Sequence, residues 1–76
     1  MKKATIKILN KEYSAEGETV QEALGKLEYK GFAKLKSFLT VGEKTVFLHP
    51  LRTQRLLSQH PLMKQIAVKQ IAMLFG

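Results

Sequence analysis

The sequence predicts a small α+β domain: two β-hairpins forming one sheet, a central helix and two C-terminal helices, in the order β-β-α-β-β-α-α. Three observations predict it. Two stretches alternate polar and apolar residues around short turns, which is the period of half-buried strands. Between them, a capped run carries apolar residues at helical spacing. After them, His-Pro-Leu occurs twice, at 49–51 and at 60–62. A chain of 76 residues holds one domain, 1–76, with no linker or repeat array inside it.

The first hairpin starts from Thr5-Ile6-Lys7-Ile8, where alternation turns Ile6 and Ile8 inward. Asn10-Lys11 offers the tight turn, because Asn tolerates positive φ. Tyr13 and Ala15 continue the alternation on the returning strand, and Gly17 ends it. Thr19-Val20-Gln21-Glu22 then has the form of a capping box. Val20, Ala23, Leu24 and Leu27 follow on one helical face, Gly25 weakens the helix, and Gly31 offers a left-handed stop.

The second hairpin puts Leu35, Leu39 and Val41 on one side and Lys36, Phe38 and Thr40 on the other. Gly42-Glu43 is its turn, and Thr45 to Leu48 its return strand. Phe38 and Phe47 share the face opposite Leu39 and Val46, so that face calls for a helix or a partner. Proline is favoured at the first helical position, where its missing N–H would be unpaired anyway. Pro50 and Pro61 therefore open two helices, about 50–58 and about 61–75, with His49 and His60 just outside. Two similar helix starts account for the repeated tripeptide without a shared site.

Charge is divided unevenly. The first 28 residues carry five lysines and five glutamates. The rest carry eight cations against Glu43 alone, so the whole net charge of +7 resides there. Such a half suits an anionic partner, nucleic acid or an acidic protein. If the partner is nucleic acid, Lys34, Lys36, Arg52, Arg55, Lys64 and Lys69 are the expected phosphate contacts. No cysteine is present, which accords with a reducing, cytoplasmic setting. The N-terminal MKKATIKIL has the lysines of a leader but not its apolar run, and no stretch is apolar for the ~20 residues a membrane span needs.

The stretch from Ala4 to Leu27, a strand, a tight turn, a strand running into Glu16 to Val20, and a helix with Glu22-Ala23-Leu24 and Leu27, resembles the opening of the β-grasp superfamily of ubiquitin-like and sulfur-carrier proteins. The resemblance implies a β-grasp-like first half. It does not carry the carriers' function across. Their flexible C-terminal Gly-Gly has no counterpart in Met73-Leu74-Phe75-Gly76, where one glycine directly follows a helical pattern.

Chemistry is poorly provided for. There is no aspartate, no cysteine, and no carboxylate after Glu43 to orient either histidine. Two histidines fall short of a zinc site, and the glycines are scattered rather than clustered into a phosphate loop. The expectation is a non-enzyme with no cofactor, no metal and no small-molecule substrate. Tyr29 to Phe38 interleaves aromatic and basic residues, the composition of a single-strand platform. Lys30-Gly31-Phe32-Ala33 matches the start of the RNA-recognition-motif signature, but Lys34 and Ser37 stand where its aromatics belong. The last helix is apolar on most of its circumference, which makes it a poor reader of a DNA groove. Its Ile66, Val68, Ile71, Met73, Leu74 and Phe75 are the expected interface of a homo-oligomer or protein complex.

Overall fold

The computed structural model describes residues 1–28 and 35–75. Their element order is β1 Lys2–Ile8, β2 Lys11–Gly17, α1 Val20–Gly25, β3 Ser37–Val41, β4 Lys44–Leu48, α2 Pro50–Leu56 and α3 Pro61–Ala72. The α+β class and its order are as the patterning predicts. The four strands form one antiparallel sheet, β2-β1-β3-β4. The two hairpins join through β1 and β3, with Ala4 opposite Val41 and Lys7 opposite Phe38.

The first hairpin turns one residue earlier than expected. Ile8 pairs with Lys11, so the turn is Leu9-Asn10. Leu9, not Asn10, takes the positive φ of 55°. The second hairpin turns at Gly42-Glu43, and Gly42 supplies the positive φ of 64°.

Thr19 caps α1 by accepting the Glu22 N–H at 3.1 Å. The reciprocal half of the capping box is not made: the Glu22 carboxylate lies 3.3 Å from the Lys26 ammonium, one turn on. The helix also ends early, at Gly25. Leu27 is still buried, as the first residue past the cap rather than the last of a helical stripe. The stop expected at Gly31 lies outside the described residues. Gly17 is required by packing. A Cβ there would sit 2.8 Å from the Ala23 backbone nitrogen, so β2 and the first turn of α1 touch backbone to backbone.

Both prolines stand at helix starts, with His49 and His60 as caps that make no side-chain capping bond. The helices are shorter than expected. The first ends at Leu56, and the second ends at Ala72 before tight turns that close on Leu74 and Phe75.

All three helices lie on one side of the sheet. Ile6, Ile8, Leu39 and Leu48 meet Leu24, Leu27, Leu56 and Ile71 in one core. Two polar clips fix the helical layer. The buried Ser37 and Thr53 hydroxyls bond at 2.8 Å, joining β3 to α2. Lys64, half-buried in α3, donates to the carbonyl of Leu56 at 2.9 Å and to that of Leu27, closing the ends of α2 and α1 together. Burial pushes the Lys64 ammonium below its ordinary pKa, an effect that nearby Glu28 opposes.

Candidate functional site

Among the described residues, the other side of the sheet carries no helix. Strand pairing lays its residues out in rows. One row runs Glu12, Lys7, Phe38, Phe47 across β2, β1, β3 and β4. The next runs Ser14, Thr5, Thr40, Thr45. In the first row, the Phe38 and Phe47 rings meet edge to face, with centroids 5.6 Å apart. Both are about half exposed, at 48% and 51%. In the second row, hydroxyls pair at 3.0 Å between Thr5 and Ser14 and at 2.9 Å between Thr40 and Thr45.

Two shallow grooves cross this face. One is lined by Lys7, Leu9, Lys36 and Phe38. The other is lined by Met1, Lys2, Lys3, Thr5, Thr40 and Gly42. Neither has a carboxylate in its lining. The carboxylates of this face, Glu12 and Glu16, stand on the edge strand β2, opposite Lys7 and Lys3.

The structure scatters the phosphate contacts expected from sequence. Lys36 lies beside Phe38 on the open sheet face. Arg52 and Arg55 are exposed on α2, and Lys69 on α3, both in the helical layer behind the sheet. Lys34 lies outside the described residues, as do Lys30 and Phe32. Lys64 is not placed as a surface cation, because its ammonium is directed at two main-chain carbonyls.

The residues expected at an interface also divide. Val68 and Ile71 belong to the core, at 6% and 1% exposure, and are unavailable to a partner. Phe75 is half-buried against the same core, and Leu74 is half-buried with its carbonyl accepting from Lys44 at 2.6 Å. Ile66 and Met73 remain exposed. With Leu62 they make an outward stripe at i, i+4 and i+11, opposite the buried side of α3. The helix is apolar on both sides, so sequence periodicity does not say which side is covered.

Composition and charge do not single out Lys3, Lys7 and Phe47 as functional candidates. They are separated in sequence from Lys36 and Phe38, and only the β1–β3 and β3–β4 pairings bring them together. The signal that does point to the lysines is strand alternation in KKATIKI, which sends Lys3 and Lys7 to the face opposite Ile6 and Ile8.

Among the described residues, no three His, Cys, Asp or Glu side chains come close enough to hold a metal ion. No helix among them is long and apolar enough to cross a membrane. No protein-family model, curated protein or solved structure matches this chain.

Proposed function

We propose that this chain is a small basic binding module without catalytic activity, and that its partner is nucleic acid. One observation carries the reading: cations outnumber acids by seven, and the whole excess falls in residues 29–76. Helices α2 and α3 expose Arg52, Arg55 and Lys69 with no acid between them. A surface of that sign draws a polyanion and releases its counterions on contact.

A salt titration of binding to labelled DNA and RNA tests this. Affinity should fall linearly on a log–log plot, with a slope of about 0.7–0.9 per phosphate contacted. No affinity for any nucleic acid at about 50 mM salt rules the reading out, because phosphate contacts bind most tightly at low salt.

A second reading, a homo-oligomer or protein-interaction subunit, is favoured by the exposed stripe of Leu62 and Ile66 on α3 and Met73 at its C-cap. Sedimentation of the wild type at micromolar concentration should then show a dimer or larger species. Ile66→Glu should return it to monomer without unfolding it, because Ile66 is 58% exposed.

A further inference from the structure

We propose that the open face of the sheet is a short platform for single-stranded nucleic acid. Successive bases stack on Phe38 and Phe47, and lysines of the two flanking grooves hold the phosphates. The proposal rests on the nucleic-acid reading above and moves its site from the helical layer to the opposite side of the molecule.

Four features support it. An antiparallel sheet can leave one face to water, and such a face is ordinarily polar. Here it carries two half-exposed phenylalanines side by side. Their edge-to-face contact leaves flat ring surface unpaired, and every base has a π-face to lay on it. Around the rings stand cations. Lys7 and Lys36 line the groove beside Phe38, and Lys3 lines the groove that also takes in Thr5 and Thr40. The combination of stacking aromatics with a cationic track is what sequence-tolerant single-strand binding requires.

The third feature is the row of hydroxyls next to the aromatic row. Thr5, Ser14, Thr40 and Thr45 bond in pairs, and each hydroxyl keeps spare acceptor capacity toward solvent. They can meet base edges or sugar without fixing one sequence. The fourth feature is the acidic edge. Glu12 and Glu16 stand outward on β2, where they repel phosphate. The bound strand therefore passes over β1, β3 and β4 and avoids β2. That limits the site to a few nucleotides.

Duplex is the wrong ligand for this face, since paired bases cannot reach the rings. A second copy of this chain is also disfavoured, because it would set the same lysines against each other. An acidic peptide could satisfy the lysines but gives the exposed ring faces no base to stack on.

The test uses the full chain and fluorescence anisotropy with labelled oligo(dT) and oligo(rU) of about ten nucleotides, beside a duplex of equal length. The single strands should bind more tightly than the duplex. Phe38→Ala and Phe47→Ala should each weaken single-strand binding roughly 5- to 150-fold. Both variants should keep the wild-type circular dichroism, because both side chains are half exposed. Lys7→Ala and Lys36→Ala should each flatten the salt slope by about 0.7. Glu12→Gln should tighten binding.

Other outcomes overturn the proposal in distinguishable ways. If the wild type binds nucleic acid and Arg52→Ala with Arg55→Ala abolishes it while both phenylalanine variants bind normally, the ligand sits on the helices. The platform is then wrong and the nucleic-acid reading stands. Preference for duplex likewise removes the platform and keeps the nucleic-acid reading. If the wild type binds no nucleic acid, both fall. If an acidic peptide binds this face and oligonucleotides do not, the partner is a protein.

Discussion

Leu39 and Phe38 are neighbours in β3, yet one is fully buried and the other is 48% exposed. The same split runs along the whole sheet. The inner face offers Ala4, Ile6, Ile8, Leu39, Val41 and Leu48 to the helices. The outer face offers two phenylalanines, a row of hydroxyls and Lys3, Lys7 and Lys36. In a strand this is a one-residue difference, because successive side chains point to opposite faces. Stability is concentrated on one face and surface chemistry on the other. A binding site on the outer face can therefore change without disturbing the core.

The largest effect expected from this division is the contrast within β3. Leu39→Ala should cost about 2–5 kcal/mol, as core truncations do. Phe38→Ala should cost less, because about half of the side chain already meets water and the edge-to-face pair adds only about 0.5–1.5 kcal/mol to the burial it loses. Chemical denaturation of the two variants measures both. Equal losses would mean the outer face is covered in solution, and the comparison would fail.

Second in size is the contact between hairpin and first helix. Gly17→Ala places a methyl 2.8 Å from the Ala23 nitrogen and 2.8 Å from the Glu22 Cβ. The obstacle is partly backbone, so α1 must shift as a unit. A loss of about 1–3 kcal/mol is expected, within the range for overpacking. Nucleic-acid affinity should hold, since α1 lies behind the sheet. A midpoint equal to wild type would show that α1 is loosely docked.

The hydroxyl clip comes next. Thr53→Val keeps the shape but leaves the buried Ser37 hydroxyl without its partner. A loss of about 1–3 kcal/mol follows from stranding a buried polar group. The double variant Ser37→Ala with Thr53→Val removes both hydroxyls and should recover part of that loss. If the double variant loses the full sum of the two singles, the pair is not coupled through this bond.

Much of the fold is legible in the sequence because its signals are local. Alternation marks all four strands, and the Pro residues mark both C-terminal helix starts. Thr19 marks the start of α1. The ends of helices are harder. Gly25 has the look of a weak point inside a longer helix, yet the helix stops there and Leu27 buries itself from the following turn. The candidate site is less legible than the fold. Net charge along the chain points to residues 29–76, while strand pairing places Lys3 and Lys7 of the neutral half on the same face as Phe38. By composition Lys64 is a cation available to a ligand, but its two carbonyl partners occupy it within the fold. Both differences have one cause: register and burial are non-local, and composition is not.

The smallest expected effect lies at the rim of the outer face, in the turn that falls one residue earlier than the sequence predicts. Leu9 has φ 55°, a region that costs an L-residue roughly 1–2 kcal/mol. Its side chain is 70% exposed, so little packing offsets that cost. Glycine takes the same conformation freely but loses about 0.5–1 kcal/mol more backbone entropy on folding. The net expectation for Leu9→Gly is a gain of about 0.5 kcal/mol, or a rise of about 2–4 °C in melting temperature. Leu9→Val should move the other way, because a β-branched side chain fits a positive φ least well. Leu9 also lines the groove with Lys7, Lys36 and Phe38, so the two variants bear on the comparison of faces. If that groove holds phosphate through its lysines, Leu9→Gly should raise stability and leave the salt slope of binding unchanged. A loss of single-strand affinity in Leu9→Gly, with the fold intact, would instead make the leucine side chain part of the stacking surface and extend the platform to the β1–β2 turn.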